Sequence, residues 1–322
     1  MNIPIVFATD NNYVMPTGIA ITSLIFNKNE ETCYDIYILS DNVSNENLNL
    51  LNSLSTDSAK IHIINYDNYK LKSYKPGTHL SATTFLKFEL PELFPQYDKI
   101  LWLDGDILVQ KDLSPLFNND LKDYYATAVR DMPGEVSFNF PQRVKTTKYF
   151  NAGVLLLNAK KIRNDFPKEM LYKTLDEYPE FLTLGDQDVF NYRFKENVLW
   201  LDCRYNLMMY NFLMLNYSIE QVNNFFNINY NSLEDLQKDA YIIHLTNSEK
   251  PWKYKHVFMS NEWAEYHSKS PFKNIKIHYL DSDSFESWAA NNFVVSVPTN
   301  QQNPLQNRNN SPLREPVNML FP

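Results

Sequence analysis

Two aspartates one residue apart, Asp104 and Asp106, interrupt the apolar run ILWLDGDILV at positions 100–109. A carboxylate set among apolar residues is costly unless a cation or hydrogen-bond donors meet it. In an extended segment residues i and i+2 face one side, so both acids can converge on a single Mg2+ or Mn2+ ion. Such an ion bridges to phosphate oxygens, and Gly105 between the acids permits a tight turn and close backbone approach. Phosphate capture without a metal has no support in the glycines. There are six, Gly18, Gly77, Gly105, Gly134, Gly153 and Gly185, and none are spaced as a dinucleotide fingerprint or a phosphate-cradling loop. The chemistry suggested is metal-assisted handling of a phosphorylated ligand.

The elements that must carry these acids are legible as alternating patterns. Short apolar and β-branched runs predict strands at 3–9, 35–40, 60–66, 99–104, 126–130, 153–157, 198–202 and 241–245. Helical spacing predicts a helix over 16–27, opened by Pro16, and Ser44 reads as the N-cap of another. Further helices are expected over 168–177 and after Asp186. This alternation predicts an α/β fold whose sheet is largely parallel in its first half. Ligands of such sheets gather beyond the carboxyl ends of the strands. Thr9, Asp10, Asn12, Asp104, Asp106, Asp131 and His244 all stand at such ends. Turn chemistry alone explains any one of them; their joint placement is the signal. Asp186, Gln187 and Asp188 open a helix, where exposed N–H groups and the dipole favour acids structurally. Capping does not require the glutamine between them.

Asp-x-Asp after a strand occurs in two enzyme classes. In haloacid-dehalogenase-like phosphatases a hydroxyl is needed two residues beyond the second Asp, where this chain has Leu108. The other class is the nucleotide-sugar glycosyltransferases. Five stretches decide between them: IVFATDNNY (5–13), ELFPQYDKILWLDGDILVQKDLSPLF (92–117), YFNAGVLLLN (149–158), GDQDVFN (185–191) and HLTNSEKPW (244–252). In this order they resemble glycosyltransferase family 8, the group of bacterial lipopolysaccharide galactosyl- and glucosyltransferases and the glycogenins. The resemblance spans about residues 3–270.

That resemblance implies a GT-A fold, a single Rossmann-like nucleotide-sugar-binding domain with a mixed central sheet over 1–280, with 281–322 as a C-terminal extension. It also implies a UDP-sugar donor (UDP-glucose or UDP-galactose), Mn2+ or Mg2+, and retention of anomeric configuration. Residue by residue, Ala8, Thr9, Asp10, Asn12 and Tyr13 match the loop that recognises uracil and ribose. Asp104, Asp106 and His244 match the metal ligands around Gly105, and a mixed oxygen and imidazole shell suits Mn2+. Lys250 matches the lysine on the diphosphate. Asn151, Asp131, Asp186 and Gln187 match donor-sugar contacts, with Gln187 near the anomeric centre. Catalysis falls to Gln187 and Asp188, through either a front-face displacement assisted by UDP or a covalent step on Asp188. The first is favoured, because a metal-bound diphosphate is both a stabilised leaving group and a base. Lys87 stands where the family usually has arginine, losing the planar fork, and Asn247 stands where it usually has glycine.

Composition sets the outer bounds. A chain of 322 residues with 44% hydrophobic content can build a substantial core. A net charge of −8 argues against a nucleic-acid partner. Two cysteines are too few for a disulfide framework, and the start MNIPIVFATDNNY lacks a signal-peptide pattern. A cytoplasmic location is expected, with peripheral membrane contact left open and oligomeric state unread. The acceptor (glycan, glycolipid or glycoprotein) is not specified. Residues 205–231 form an aromatic, Asn-rich insertion that suits either acceptor binding or a packing layer. Residues 281–322 are rich in Asn, Gln and Pro without periodicity, the pattern of a flexible tail.

Overall fold

The computed structural model describes residues 2–66, 82–246 and 248–280. Asn247 and the 281–322 extension lie outside the described residues. Among the described residues nine strands form: β1 (Asn2–Asp10), β2 (Cys33–Asp41), β3 (Ala59–Asn65), β4 (Lys99–Leu103), β5 (Ile107–Val109), β6 (Ala126–Arg130), β7 (Phe150–Asn158), β8 (Leu199–Trp200) and β9 (Ile242–His244). Seven of them make one sheet in the order β3-β2-β1-β4-β7-β6-β8, and β5 pairs with β9 in a separate ribbon. The first four neighbours run parallel, while β7 is antiparallel to both β4 and β6. The mixed sheet matches the expectation.

The strand sequences explain why the sheet is buried on both sides. Along β4, Ile100 and Trp102 join one core while Leu101 and Leu103 join another. Along β7, Leu155 and Leu157 divide from Val154 and Leu156 in the same way. A period of two thus feeds two cores, which is why these runs read as continuously apolar. Each fully buried side chain of this size contributes about 1.5–3 kcal/mol before entropy is counted. The helix Val14–Phe26 lies against the second core, and its Gly18 leaves the space that the Phe272 ring fills.

Several boundaries differ from the pattern reading. β7 begins at Phe150, so Asn151 sits inside a strand rather than ahead of one. The strand expected at 198–202 shrinks to Leu199–Trp200. Three-residue β5 was not anticipated, being too short to show a period. Ser44 does cap the helix Asn45–Asn52, its side chain accepting from the Asn47 N–H. In the aromatic insertion Leu207, Met208, Met209 and Phe212 are buried, and Leu207, Met209 and Phe212 belong to a third core beneath the β5–β9 ribbon. Residues 207–212 therefore serve packing, while 213–231 are mostly half-buried or exposed. No helix among the described residues is long and apolar enough to cross a membrane.

Candidate active site

Backbone hydrogen bonds fix the site before any side chain is considered. The chain leaves β4 at Leu103, and Asp104 N–H donates to the Gly153 carbonyl of β7 at 2.8 Å. Leu245 N–H donates to the Asp106 carbonyl at 2.9 Å, continuing the ribbon in which Ile107 faces His244. His244 N–H donates to Leu207 at 2.9 Å. Three remote segments therefore meet at one point by register. Gly105 is needed for contact rather than for an unusual turn, since a Cβ there would lie 2.4 Å from Thr17 Oγ1. Gly153 is equally constrained: a Cβ would lie 2.2 Å from His244 Cε1.

Asp104, Asp106 and His244 present ligand atoms within 4.8 Å of one another. Each carboxylate is held by one oxygen and offers the other. Asp104 Oδ1 accepts from Trp102 Nε1 at 2.7 Å and pairs with Lys87 Nζ at 3.1 Å. Asp106 Oδ2 pairs with Lys250 Nζ at 2.7 Å and accepts from the Tyr13 hydroxyl at 3.3 Å. The remaining oxygens face His244 Nε2, Asp106 Oδ1 at 3.3 Å and Asp104 Oδ2 at 3.9 Å. Adjacent donors around an octahedral ion at about 2.1 Å lie about 3 Å apart, so the donor set fits a hard or borderline divalent cation. Burial opposes ionisation of Asp106, but the Lys250 ammonium overrides it and holds its carboxyl well below the usual range. Lys250 also donates to the Leu245 carbonyl. Both contacts fix the ammonium beside the Asp106 carboxylate.

The second acidic group behaves differently. The helix Asp186–Phe194 follows Gly185, whose φ of 58° is the left-handed region that suits glycine. Asp186 is buried and meets Lys87 Nζ at 2.7 Å and the Thr84 hydroxyl. Burial raises its pKa, against the pull of Lys87. Burial likewise tends to strip Lys87 of its proton, and Asp104 with Asp186 more than reverse this. Asp188 has no exposed surface; Tyr149 donates to it at 2.6 Å and Arg143 at 2.8 Å. Burial pushes its pKa up to about 6 despite Arg143. Gln187 alone of the three is half-exposed. Its Oε1 accepts from Ala152 N–H at 2.9 Å, and its Nε2 donates to Asp131 Oδ2 at 3.3 Å. Asp131 is buried, which raises its pKa, and it caps the helix Met132–Val136 through Gly134 N–H.

At the end of β1 the expected nucleotide-recognition residues divide. Asp10 Oδ1 accepts from Asn12 N–H at 2.9 Å and Tyr13 N–H at 3.0 Å, shaping the loop. Asn12 is exposed, Ala8 is half-buried, and Thr9 is buried with its hydroxyl on the Asp10 carbonyl. The Thr9 hydroxyl is also met by that of Thr17 at 3.3 Å. The Tyr13 ring meets Trp252 edge-on at 5.5 Å. Sequence reasoning did not single out Asn206, Trp102, Tyr149 or Arg143 for the site. The wholly buried Asn206 joins Asn151 to His244, contacts that link positions 55 and 38 residues apart and leave no local spacing to read.

Comparison with known proteins agrees with this geometry. Glycosyltransferase GlyF of Streptococcus pneumoniae is 31% identical over 206 residues, 64% of this chain and 49% of GlyF. The chain therefore spans about half the length of that relative. The lipopolysaccharide 1,2-glucosyltransferase of Escherichia coli is 25% identical over 83% of this chain and 75% of its own. The crystal structure of the galactosyltransferase LgtC with donor and acceptor sugar analogs superposes with a TM-score of 0.70 and 25% identity, over 83% of this chain and 96% of LgtC. The mixed sheet is accordingly that of the GT-A glycosyltransferases, and the phosphatase reading falls away. The model of the family described as Glycosyl transferase family 8 matches residues 4–256, most of the chain, and the protein belongs to that family.

Proposed function

We propose that the protein transfers a hexose, glucose or galactose, from a UDP-sugar to a hydroxyl of a glycan, glycolipid or glycoprotein. The transfer retains anomeric configuration and depends on a divalent cation, Mn2+ in preference to Mg2+. The observation that carries this reading is the convergence of Asp104 Oδ2, Asp106 Oδ1 and His244 Nε2 beside the Lys250 ammonium. Those three residues would hold the cation, which when bound neutralises charge on the diphosphate and stabilises UDP as it leaves. Lys250 adds a preorganised positive charge to the same oxygens. The names of two relatives, a lipopolysaccharide glucosyltransferase and a galactosyltransferase, support the choice of sugars.

On the sugar side, Gln187 is the group presented to the cleft. Its carbonyl and amide are oriented by Ala152 and Asp131, so it can steady positive charge developing at the anomeric carbon without reorienting. Asp188 is buried and held by Arg143 and Tyr149, which favours a front-face displacement over a covalent step on that residue. The leaving phosphate oxygen then takes the acceptor proton. A cytoplasmic location goes with this reading and with the free Cys33 and Cys203.

A panel of UDP-sugars with and without Mn2+, monitored for UDP release in the presence of candidate acceptors, tests the proposal. Metal-dependent release from UDP-glucose or UDP-galactose is expected. Tight UDP-sugar binding without any release would identify a binding protein instead.

A further inference from the structure

We propose that Asn206 is a positioning residue that fixes the tautomer of His244, so that the lone pair of Nε2 points between Asp104 and Asp106. The proposal rests on the reading of those three residues as cation ligands.

The hydrogen-bond directions follow from one end. Gly153 N–H can only donate, and it meets Asn151 Oδ1 at 2.9 Å. Asn151 Oδ1 is thereby an acceptor, so the atom of Asn206 that approaches it at 2.8 Å must be the Nδ2 amide. The other end of the Asn206 amide is then its carbonyl oxygen, which lies 2.9 Å from His244 Nδ1. A carbonyl accepts only, so Nδ1 carries the proton. In the neutral ring the other nitrogen, Nε2, is then the acceptor. It is this nitrogen that lies 3.3 Å from Asp106 Oδ1 and 3.9 Å from Asp104 Oδ2.

A lone pair and two carboxylate oxygens aimed at one another repel unless a cation stands between them. The relay therefore holds the site in an arrangement that only a positive charge satisfies. Every member is buried, Asn206 without any exposed surface. Water cannot readily replace a missing partner there, so the direction of the relay is held by the protein alone. Partners that orient a ligating histidine commonly set metal affinity by one to two orders of magnitude, about 10–100-fold. Asn206 has the geometry of such a partner, and it comes from a segment where sequence offered only an aromatic insertion.

The decisive measurement is made on the metal-free protein. Histidine labelled with nitrogen-15 is observed by NMR at pH 9, where an ordinary imidazole is neutral. The His244 signals are assigned by their loss in His244→Gln. Nδ1 is expected to carry the proton and Nε2 to be bare. In Asn206→Leu the ring should become a mixture of tautomers, and Mn2+ affinity measured by calorimetry should fall by about 10–100-fold. Asn206→Asp still offers Nδ1–H an acceptor and should keep the native tautomer with most of the affinity. A native ring protonated on Nε2 would overturn the proposal. So would an Asn206→Leu protein with unchanged tautomer and unchanged affinity. If Asn206→Leu loses its circular dichroism signal, the native spectrum and Asn206→Asp still decide. A native ring protonated on Nδ1 in a protein that binds no Mn2+ would support the relay while counting against the cation reading.

Discussion

Two groups of acids line this cleft, and their electrostatics are opposite. Asp106 is held ionised by Lys250, and it keeps one oxygen facing a shared point, as Asp104 does. Asp186 and Asp188 sit deeper, on a helix start, with pKa values raised by burial and with cations or hydroxyls facing them. The residue type is the same; the partners decide the work. The first pair turns free oxygens toward His244, as a cation site would need, and the second meets Lys87, Arg143 and Tyr149 on either side of a half-exposed glutamine. A buried acid tied to a guanidinium is a support, whereas an acid with one free oxygen is a ligand.

The comparison is tested most severely at Asp106. Asp106→Ala removes a ligand atom and the partner of Lys250 together. Mn2+ affinity should fall by more than about 100-fold, beyond the range that indirect partners reach, and UDP release should become undetectable. Calorimetry of the metal-free protein and a UDP-release assay read both. Unchanged metal-dependent transfer would dissolve the distinction between the two groups.

At the second group, Gln187→Ala should slow transfer by about 100-fold, the scale of losing one preorganised electrostatic contact. Asp188→Asn should cost much less, about tenfold, because the asparagine still accepts from Tyr149 and Arg143. The reverse ranking, with a covalent sugar adduct found by mass spectrometry on Gln187→Ala but not on Asp188→Asn, would make Asp188 the nucleophile.

Asp188 also carries a pH dependence whose sign can be stated. Its folded pKa of about 6 lies above the ordinary value of 3.8, so between these values the folded state binds more protons than the unfolded one. Its contribution is present in full below the ordinary value and is lost as pH rises through about 6. Denaturation of the native protein and Asp188→Asn at pH 4 to 7 should show the native losing ground to the variant, by at most about 3 kcal/mol. A difference that grows in the opposite direction would mean that Arg143 outweighs burial.

Much of this was legible in the sequence, and unevenly so. β1, β4 and β7 announce themselves because a sheet buried on both faces needs unbroken apolar runs. Asp104 and Asp106 are visible because acids in such a run have no bland reason to be there. β5 could not be seen, since three residues carry no period, yet its pairing with β9 is what brings His244 beside Asp104 and Asp106. The motif around Asp188 tells which residues are present and not which way they face: one position along the helix separates a half-exposed glutamine from a fully buried acid. Asn206 was hidden by its surroundings, a polar residue in an aromatic stretch whose partners come from distant strands.

The mildest test lies at Gly153, which borders the first group. It sits in β7 between Asn151 and the strand core, its carbonyl accepts from Asp104 N–H, and its missing side chain leaves room for the His244 ring. A Cβ there would meet His244 Cε1 at 2.2 Å and Nδ1 at 2.8 Å, both well inside contact distance. The ring is packed and nearly fully buried, so it must tilt or translate by a few tenths of an ångström at least. Its Nδ1 bond to Asn206 and the aim of Nε2 then change together, while Asp104 and Asp106 keep their own partners. Gly153→Ala should therefore lower Mn2+ affinity by about tenfold, or about 1.4 kcal/mol, and leave the fluorescence-monitored denaturation of the Asp188 region little changed. An Mn2+ affinity equal to that of the native protein would show that the ring has freedom to move, and that the cation point is set by the two carboxylates without it.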